Sequence, residues 1–463
     1  MTGNTPATAD VERPALAAGD SYVAGSPETK PIDPSAVPLS AALPRSFFEY
    51  LRSFGPGLVV ALTWLGASDL VNSAVAGADY GYALMWALVA SLLARFAFVN
   101  IIAKYELCNE RGETLTAGLL RIHKAVPVLI FILAVLLSHL FEAYLIRGIG
   151  ETTHALAFGL GQPWMWSLAW VAATFLIVFL GAFKTLERSF YVFLAMLSLA
   201  FIGLALWVGP NPVGILKGAL LFEVPPSAGD FKPVLVVISL IGAMAGSLPN
   251  LLYPYFIRQK GWNGPQYRRV QTYDLLFGIS VMILLNLSVW IVAAEVLHPA
   301  GIRVRTLDDL AQLFIMVMGP IGSPLFHAGV LATLATTIIG VATGFGYMCE
   351  DIAVKLSRGP EASTPTPDLK RTRTFRWIVI WSLLSPLVWA IPSMPGFVPL
   401  TIFVNAACVM TIPLLAGVLW YLTANPRFIG EQYKNKPWEN LTMAVLFVLA
   451  LYATWESASS FLN

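Results

Sequence analysis

Two apolar segments of this chain are long enough to enter a bilayer, and each is broken in its middle. Leu58–Trp64 runs apolar into Gly66, Ala67, Ser68 and Asp69; Val236–Met244 runs apolar into Gly246, Ser247, Pro249 and Asn250. At that depth, backbone that is not helically bonded survives only where protein buries it or where it lines a watery cavity. Paired interruptions at matching places in two halves of a chain mark the solute site of a secondary transporter. The first interruption also holds a carboxylate, Asp69, and a charge inside the membrane is costly and functional by default. The chain is therefore expected to move a cation.

Composition sets the class. Of 463 residues 57% are hydrophobic and only 12% are charged, against about 25% charged in soluble domains, so an all-α polytopic membrane protein is expected. Spans of about 20 residues fall near 56–76, 80–103, 125–148, 163–182, 189–209, 234–257, 273–296, 322–348, 375–394, 397–422 and 438–460. That gives about 11 transmembrane helices, the third running on as helix to about Leu160. The broken segments are the first and the sixth, as two five-helix repeats of inverted topology would require. Repeat one is expected over about 55–210, repeat two over about 233–422, and an extra helix over about 438–460, all within a transporter domain at 46–463. Residues 1–45 are rich in Pro, Ala, Ser and Thr without an apolar run and read as a disordered cytoplasmic tail.

Lys and Arg collect on the cytoplasmic side of spans. With the N-terminus inside, the inner loops hold Lys104, Arg111, Arg121, Lys124, Lys184, Arg188, Arg258, Lys260, Arg268, Arg269, Lys355, Arg358, Lys370, Arg371, Arg373, Arg376, Arg427, Lys434 and Lys436. The outer side keeps only Arg147, Lys217, Lys232, Arg303 and Arg305. The expected setting is the plasma (inner) membrane, N-terminus cytoplasmic and C-terminus outside. Cys108, Cys349 and Cys408 are scattered and form neither a disulfide framework nor a zinc motif. The expected partners are a cation and the lipid bilayer. No nucleic acid and no cofactor is expected, the cation is substrate, and a monomer is compatible with the sequence.

Several stretches resemble the Nramp family of divalent-metal transporters. Ala76-Gly-Ala-Asp-Tyr-Gly-Tyr-Ala-Leu-Met-Trp86 is similar to its AGAQYGYSLLW stretch. Thr185-Leu-Glu-Arg188 resembles its fifth-helix entrance, Gly329–Gly340 its eighth helix, and Ile412 to Glu431 the end of its tenth. The resemblance implies a leucine-transporter-type fold with metal held between unwound helices 1 and 6.

The departures from the family pattern change the expected chemistry. Where the family has Asp-Pro-Gly-Asn, this chain has Gly66-Ala67-Ser68-Asp69, so the carboxylate shifts by about one helical turn. The family's sixth-helix Met falls on Gly246 in one register and Leu248 in the other, and its His is lost. Loss of a soft thioether disfavours later transition metals and leaves Asp69, main-chain carbonyls and water, which suit Mg²⁺. The candidate metal residues are Asp69, Thr63, Gly66, Ala243, Gly246, Ser247 and, in place of a tenth-helix Gln, Asn405. The pattern is similar to the Nramp-related magnesium transporters, with Mn²⁺ the nearest transition metal.

The family's third-helix proton relay falls on Ile149 and Thr152, with Glu151 one residue away, so uncoupled import down the membrane potential is expected. A divalent ion gains about 4.6 kcal/mol at about 100 mV. Arg147 and Glu151 are spaced for an i, i+4 ion pair, and local pairing is the expectation for their cluster with His139, Glu142 and His154. Asp79 and the Glu350-Asp351 pair are expected to be solvated. Three alternatives compete with this reading. The first is proton-coupled Mn²⁺/Fe²⁺ transport relayed by Glu151. The second is a sodium-coupled organic solute carrier of the same fold, against which Asp69 speaks if the solute is anionic. The third is an intramembrane enzyme using Asp308-Asp309 or Glu350-Asp351, which lacks a basic diphosphate clamp; the chain is not expected to be an enzyme.

Overall fold

The computed structural model describes residues 43–44, 48–50, 67–180, 183–245, 248–362 and 372–462, and these contain helices and no strand. The first half supplies α1 (Ala67–Tyr80), α2 (Met85–Cys108), a short α3 (Leu115–Ile122), α4 (Ala125–Leu156), α5 (Pro163–Leu180), α6 (Phe183–Val208) and α7 (Pro212–Leu220). The second supplies α8 (Pro233–Met244), α9 (Tyr253–Gln259), α10 (Arg268–Val292), α11 (Leu307–Met318), α12 (Gly322–Arg358), α13 (Arg373–Leu384), α14 (Phe397–Cys408) and α15 (Ile412–Ala424), and α16 (Pro437–Leu462) follows. Among the described residues eight helices are long and apolar enough to cross a membrane, nine if Ala195–Val208 and Pro212–Leu220, bent by 111°, form one span. The expected first segment lies largely outside the described residues. The third segment stays helical to Leu156, and the eighth runs on to Arg358.

Two helix groups position the site. α1, α2, α8 and α10 pack on one another, while α4, α5, α12 and α13 form a second set. Each group thus takes two consecutive spans from each half. α14 lies between them, against α8, α1 and α4.

Small residues set how closely these helices approach, as is usual inside membranes. A Cβ at Gly77 on α1 would lie 2.7 Å from the Trp290 carbonyl on α10, and one at Gly242 on α8 would run into the main-chain oxygen of Asn405 on α14. Gly242→Ala should therefore cost about 1–3 kcal/mol, the usual penalty of overpacking. Gly340→Ala on α12, where an added Cβ meets nothing within 4 Å, should not. Melting curves of the two purified variants check this; equal transitions would mean that α8 and α14 tolerate separation.

The sixth segment is interrupted, as expected. Helical bonding ends at Met244, a 3-10 turn covers Leu248–Leu252, and α9 restarts at Tyr253. Pro249 and Pro254 explain the restart, since neither has an N–H to extend a preceding helix while both fit a first turn.

Candidate cation site

Asp69 is 1% exposed, near the start of the described part of α1, and among the described residues its Oδ2 has no hydrogen-bond partner. The turns after it fix α1 to both neighbours. Ser239 on α8 donates to Asn72 Oδ1 at 2.6 Å, and Ser73 donates to Asn286 Oδ1 on α10 at 2.9 Å. Asn286 in turn donates to the Met282 carbonyl at 2.9 Å. These buried hydroxyl–amide bonds hold the carboxylate-bearing turn in one rotation.

The site contains a cation that the sequence reading passed over. Arg95, near the middle of α2, is 2% exposed. Its Nη2 donates to the Ala243 carbonyl at 2.7 Å, its Nε to the Met244 carbonyl, and its Nη1 to Met282 Sδ at 3.4 Å. Its charge also interacts with that of Asp69. The carbonyls released where α8 ends are thus engaged by a guanidinium. Ala243, expected as a metal ligand, here accepts from Arg95 instead. A thioether, Met282, also stands beside the interruption, carried by α10 and facing Arg95.

Asn405 was expected at the site. It is fully buried, and among the described residues neither amide atom has a partner. Asn250, in the 3-10 turn, is 2% exposed and likewise unpartnered. Buried amides without partners are rare in folded proteins, and these two stand on elements flanking the α8 end. Leu248 is fully buried. Thr63, Gly66, Gly246 and Ser247 lie outside the described residues. Among the described residues no group of three or more His, Cys, Asp and Glu side chains is placed to hold a metal. A single carboxylate with amide and main-chain oxygens is what these elements offer an ion.

α4 borders the site. Tyr144 is buried within electrostatic reach of Asp69 and Glu142. Arg147 pairs with Glu151 at 2.6 Å and also donates to the carbonyls of Ala390 and Ile391 at 3.0 and 3.2 Å. The second carboxylate oxygen of Glu151 accepts from the Phe397 amide at 3.4 Å. Glu142 departs from the local pairing expected of it: it is fully buried beside the Ala342 main chain, and among the described residues neither oxygen pairs with a side chain. Ile149 and Thr152 are fully buried too.

Other acids are less solvated than expected. Asp79 is 6% exposed and lies against Gly229 of the loop before α8. That loop is held by Arg305 and Arg303, which both bond Asp230. The Arg305 hydrogen bond, followed by that of Arg303, keeps the Asp230 carboxyl below its ordinary range. Glu350 and Asp351 are buried, Asp351 pairing with Lys355 and accepting from Tyr255 at 2.9 Å. Nearby, Arg258 bonds Glu106 at 2.5 Å. Tyr255 reaches Asp351 from a helix distant in sequence, which is why a solvated helix end was expected. Glu295 accepts from Tyr82 at 2.8 Å in a short π-helical stretch, Ala293–Leu297. Asp308 and Asp309 begin α11, where Asp309 completes a capping box with Thr306.

Two packed groups of spans around an interrupted helix and a buried carboxylate define a polytopic transporter of the leucine-transporter fold type. Solved structures agree on the fold. A point mutant of the Eremococcus coleocola manganese transporter superposes with a TM-score of 0.70 at 17% identity, covering 91% of this chain and 90% of that one. MhsT in complex with L-phenylalanine superposes with a TM-score of 0.51 at 14% identity, covering 87% and 98%. The family model described as natural resistance-associated macrophage protein-like, Nramp, matches residues 57–456. The chain belongs to the Nramp family. Its relatives include the divalent metal cation transporter MntH of Bacillus subtilis, 22% identical over 319 residues, 65% of this chain and 71% of the relative. MntH of Listeria innocua is 23% identical over 426 residues, 87% and 89% of the two chains. These relatives are named as transporters, not as enzymes.

Proposed function

We propose that this chain imports divalent metal ions, Mg²⁺ with part of its water and Mn²⁺, across the plasma membrane by alternating access. The names of its relatives, divalent metal cation transporters, support the class of cargo. The observation that carries the reading is Asp69, a buried carboxylate with one oxygen unpartnered, beside the end of an interrupted helix. Mg²⁺ suits such a site because it sheds water reluctantly and binds through one or two carboxylates. The chain then belongs with the magnesium-transporting, Nramp-related subgroup. Asn405 and the main chain at Thr63, Gly66, Gly246 and Ser247 complete the proposed shell, with Ala243 joining when Arg95 releases its carbonyl. The distribution of Lys and Arg supports an N-terminus inside and a C-terminus outside.

Transport is proposed to be uncoupled from protons, because Glu151 is tied to Arg147 and to the start of α14 and Ile149 and Thr152 carry no acid. Two observations favour a second reading, proton-coupled Mn²⁺ transport: the unpartnered carboxyl of Glu142 and the Met282 sulfur beside the interruption. Proteoliposomes loaded with a pH dye and offered Mg²⁺, Mn²⁺ or Ca²⁺ separate the two. Uptake of both Mg²⁺ and Mn²⁺ is expected, and Mn²⁺ uptake without any Mg²⁺ uptake would reject the magnesium reading.

A further inference from the structure

A 24-residue helix such as α2 is about 36 Å long, so Arg95 near its middle sits deep in a hydrocarbon layer about 30 Å thick. An arginine there keeps its charge and must face partners inside the protein. The partners it has are informative. Two are the carbonyls of Ala243 and Met244, at the end of α8, where the last carbonyls of a helix lack intrahelical donors and carry its negative partial charge. In transporters with broken helices such carbonyls are where a cation binds. Asp69 is a charge within reach of Arg95 as well.

We propose that Arg95 is a tethered competitor for the cargo: its guanidinium holds the α8 carbonyls and balances Asp69, and a divalent ion binds fully only when it withdraws. The inference rests on the divalent-cation reading and adds the residue that sets the affinity of the site. With Arg95 in place, Asp69 and the guanidinium sum to zero charge, so an arriving ion meets a like charge where it needs oxygen. A clamp for an anionic solute fits the geometry less well, because Nε, Nη1 and Nη2 each already face a carbonyl or a sulfur. A brace that merely satisfies the carbonyls would make the opposite prediction, since removing it would loosen the site and weaken binding.

The test is calorimetric titration of Mn²⁺ into the purified full chain in detergent. Arg95→Gln is expected to bind at least about tenfold more tightly than wild type, because a like charge close to the ion is gone. Arg95→Lys keeps the charge and should stay within about threefold of wild type. Met282→Leu is nearly volume-conserving and removes the sulfur that steadies Nη1; it should tighten Mn²⁺ binding about two- to threefold, and it serves if Arg95→Gln does not fold. Binding by Arg95→Gln that is unchanged or weaker, with a cooperative melting transition, overturns the inference alone. If only Met282→Leu folds, unchanged or weaker binding overturns it too. No Mn²⁺ binding by any of the four proteins removes the divalent reading and the inference together, whereas binding by Arg95→Gln but not wild type supports the inference.

Discussion

Asp69→Ala is expected to remain folded and to take up neither Mg²⁺ nor Mn²⁺. Asp69 is the acid whose charge interacts with Arg95, and among the described residues its Oδ2 is unpartnered. Even at the screened effective dielectric of a protein, the attraction between a carboxylate and a divalent ion in contact amounts to several kcal/mol. Its loss should lower affinity on the order of a hundredfold or more. The fold has reason to survive. Arg95 keeps its bonds to the Ala243 and Met244 carbonyls, and the Ser73–Asn286 and Ser239–Asn72 bonds keep α1 in register. Some stability is lost because a buried guanidinium loses its balancing charge. Asp69→Asn is the gentler companion, keeping shape and hydrogen bonding while removing only the charge. Uptake is read in proteoliposomes after gel filtration shows a single species. Wild-type Mg²⁺ uptake by monodisperse Asp69→Ala would remove Asp69 from the site.

What was legible in the sequence was local. Pro249 has no N–H to extend a preceding helix wherever the chain goes, so the sixth-segment interruption could be read without knowing its neighbours. The i, i+4 spacing of Arg147 and Glu151 fixes a pair on one helix face, and the pair is there. Glu142 is five residues before Arg147, about 140° around the helix at 100° per residue. It therefore faces away from that pair, and nothing local tells what it meets. Arg95 was missed for the related reason that its partners are tertiary: Met244 is 149 residues away in sequence. A single charge in a long apolar run could have flagged it, since such a residue is functional by default. The burial of Asp79 and Asp351 was likewise hidden, because Gly229 and Tyr255 reach them from other elements.

Mg²⁺ uptake is expected to carry two positive charges inward per ion and no proton. On α4, Glu151 is held by Arg147 on one oxygen and by the Phe397 amide on the other, and Arg147 is itself fixed to two carbonyls. With both oxygens engaged, Glu151 offers a relayed proton no acceptor unless one of these bonds is broken. A relay also needs consecutive acceptors, and the aligned positions hold Ile149 and Thr152, both buried. Glu142 is the remaining buried acid on α4, and among the described residues neither of its oxygens pairs with a side chain that could take a proton onward. The measurement is the reversal potential of Mg²⁺-dependent current in liposomes with a pH dye inside. For two charges per ion it should shift roughly 30 mV per tenfold Mg²⁺ gradient and stay unmoved by a pH gradient. Glu142→Gln and Glu151→Gln should each leave that slope unchanged. Metal-dependent acidification that disappears in Glu142→Gln would make Glu142 the proton carrier, and its loss in Glu151→Gln would restore the family-like relay. Either result would turn the proposal from facilitated import to proton-coupled transport.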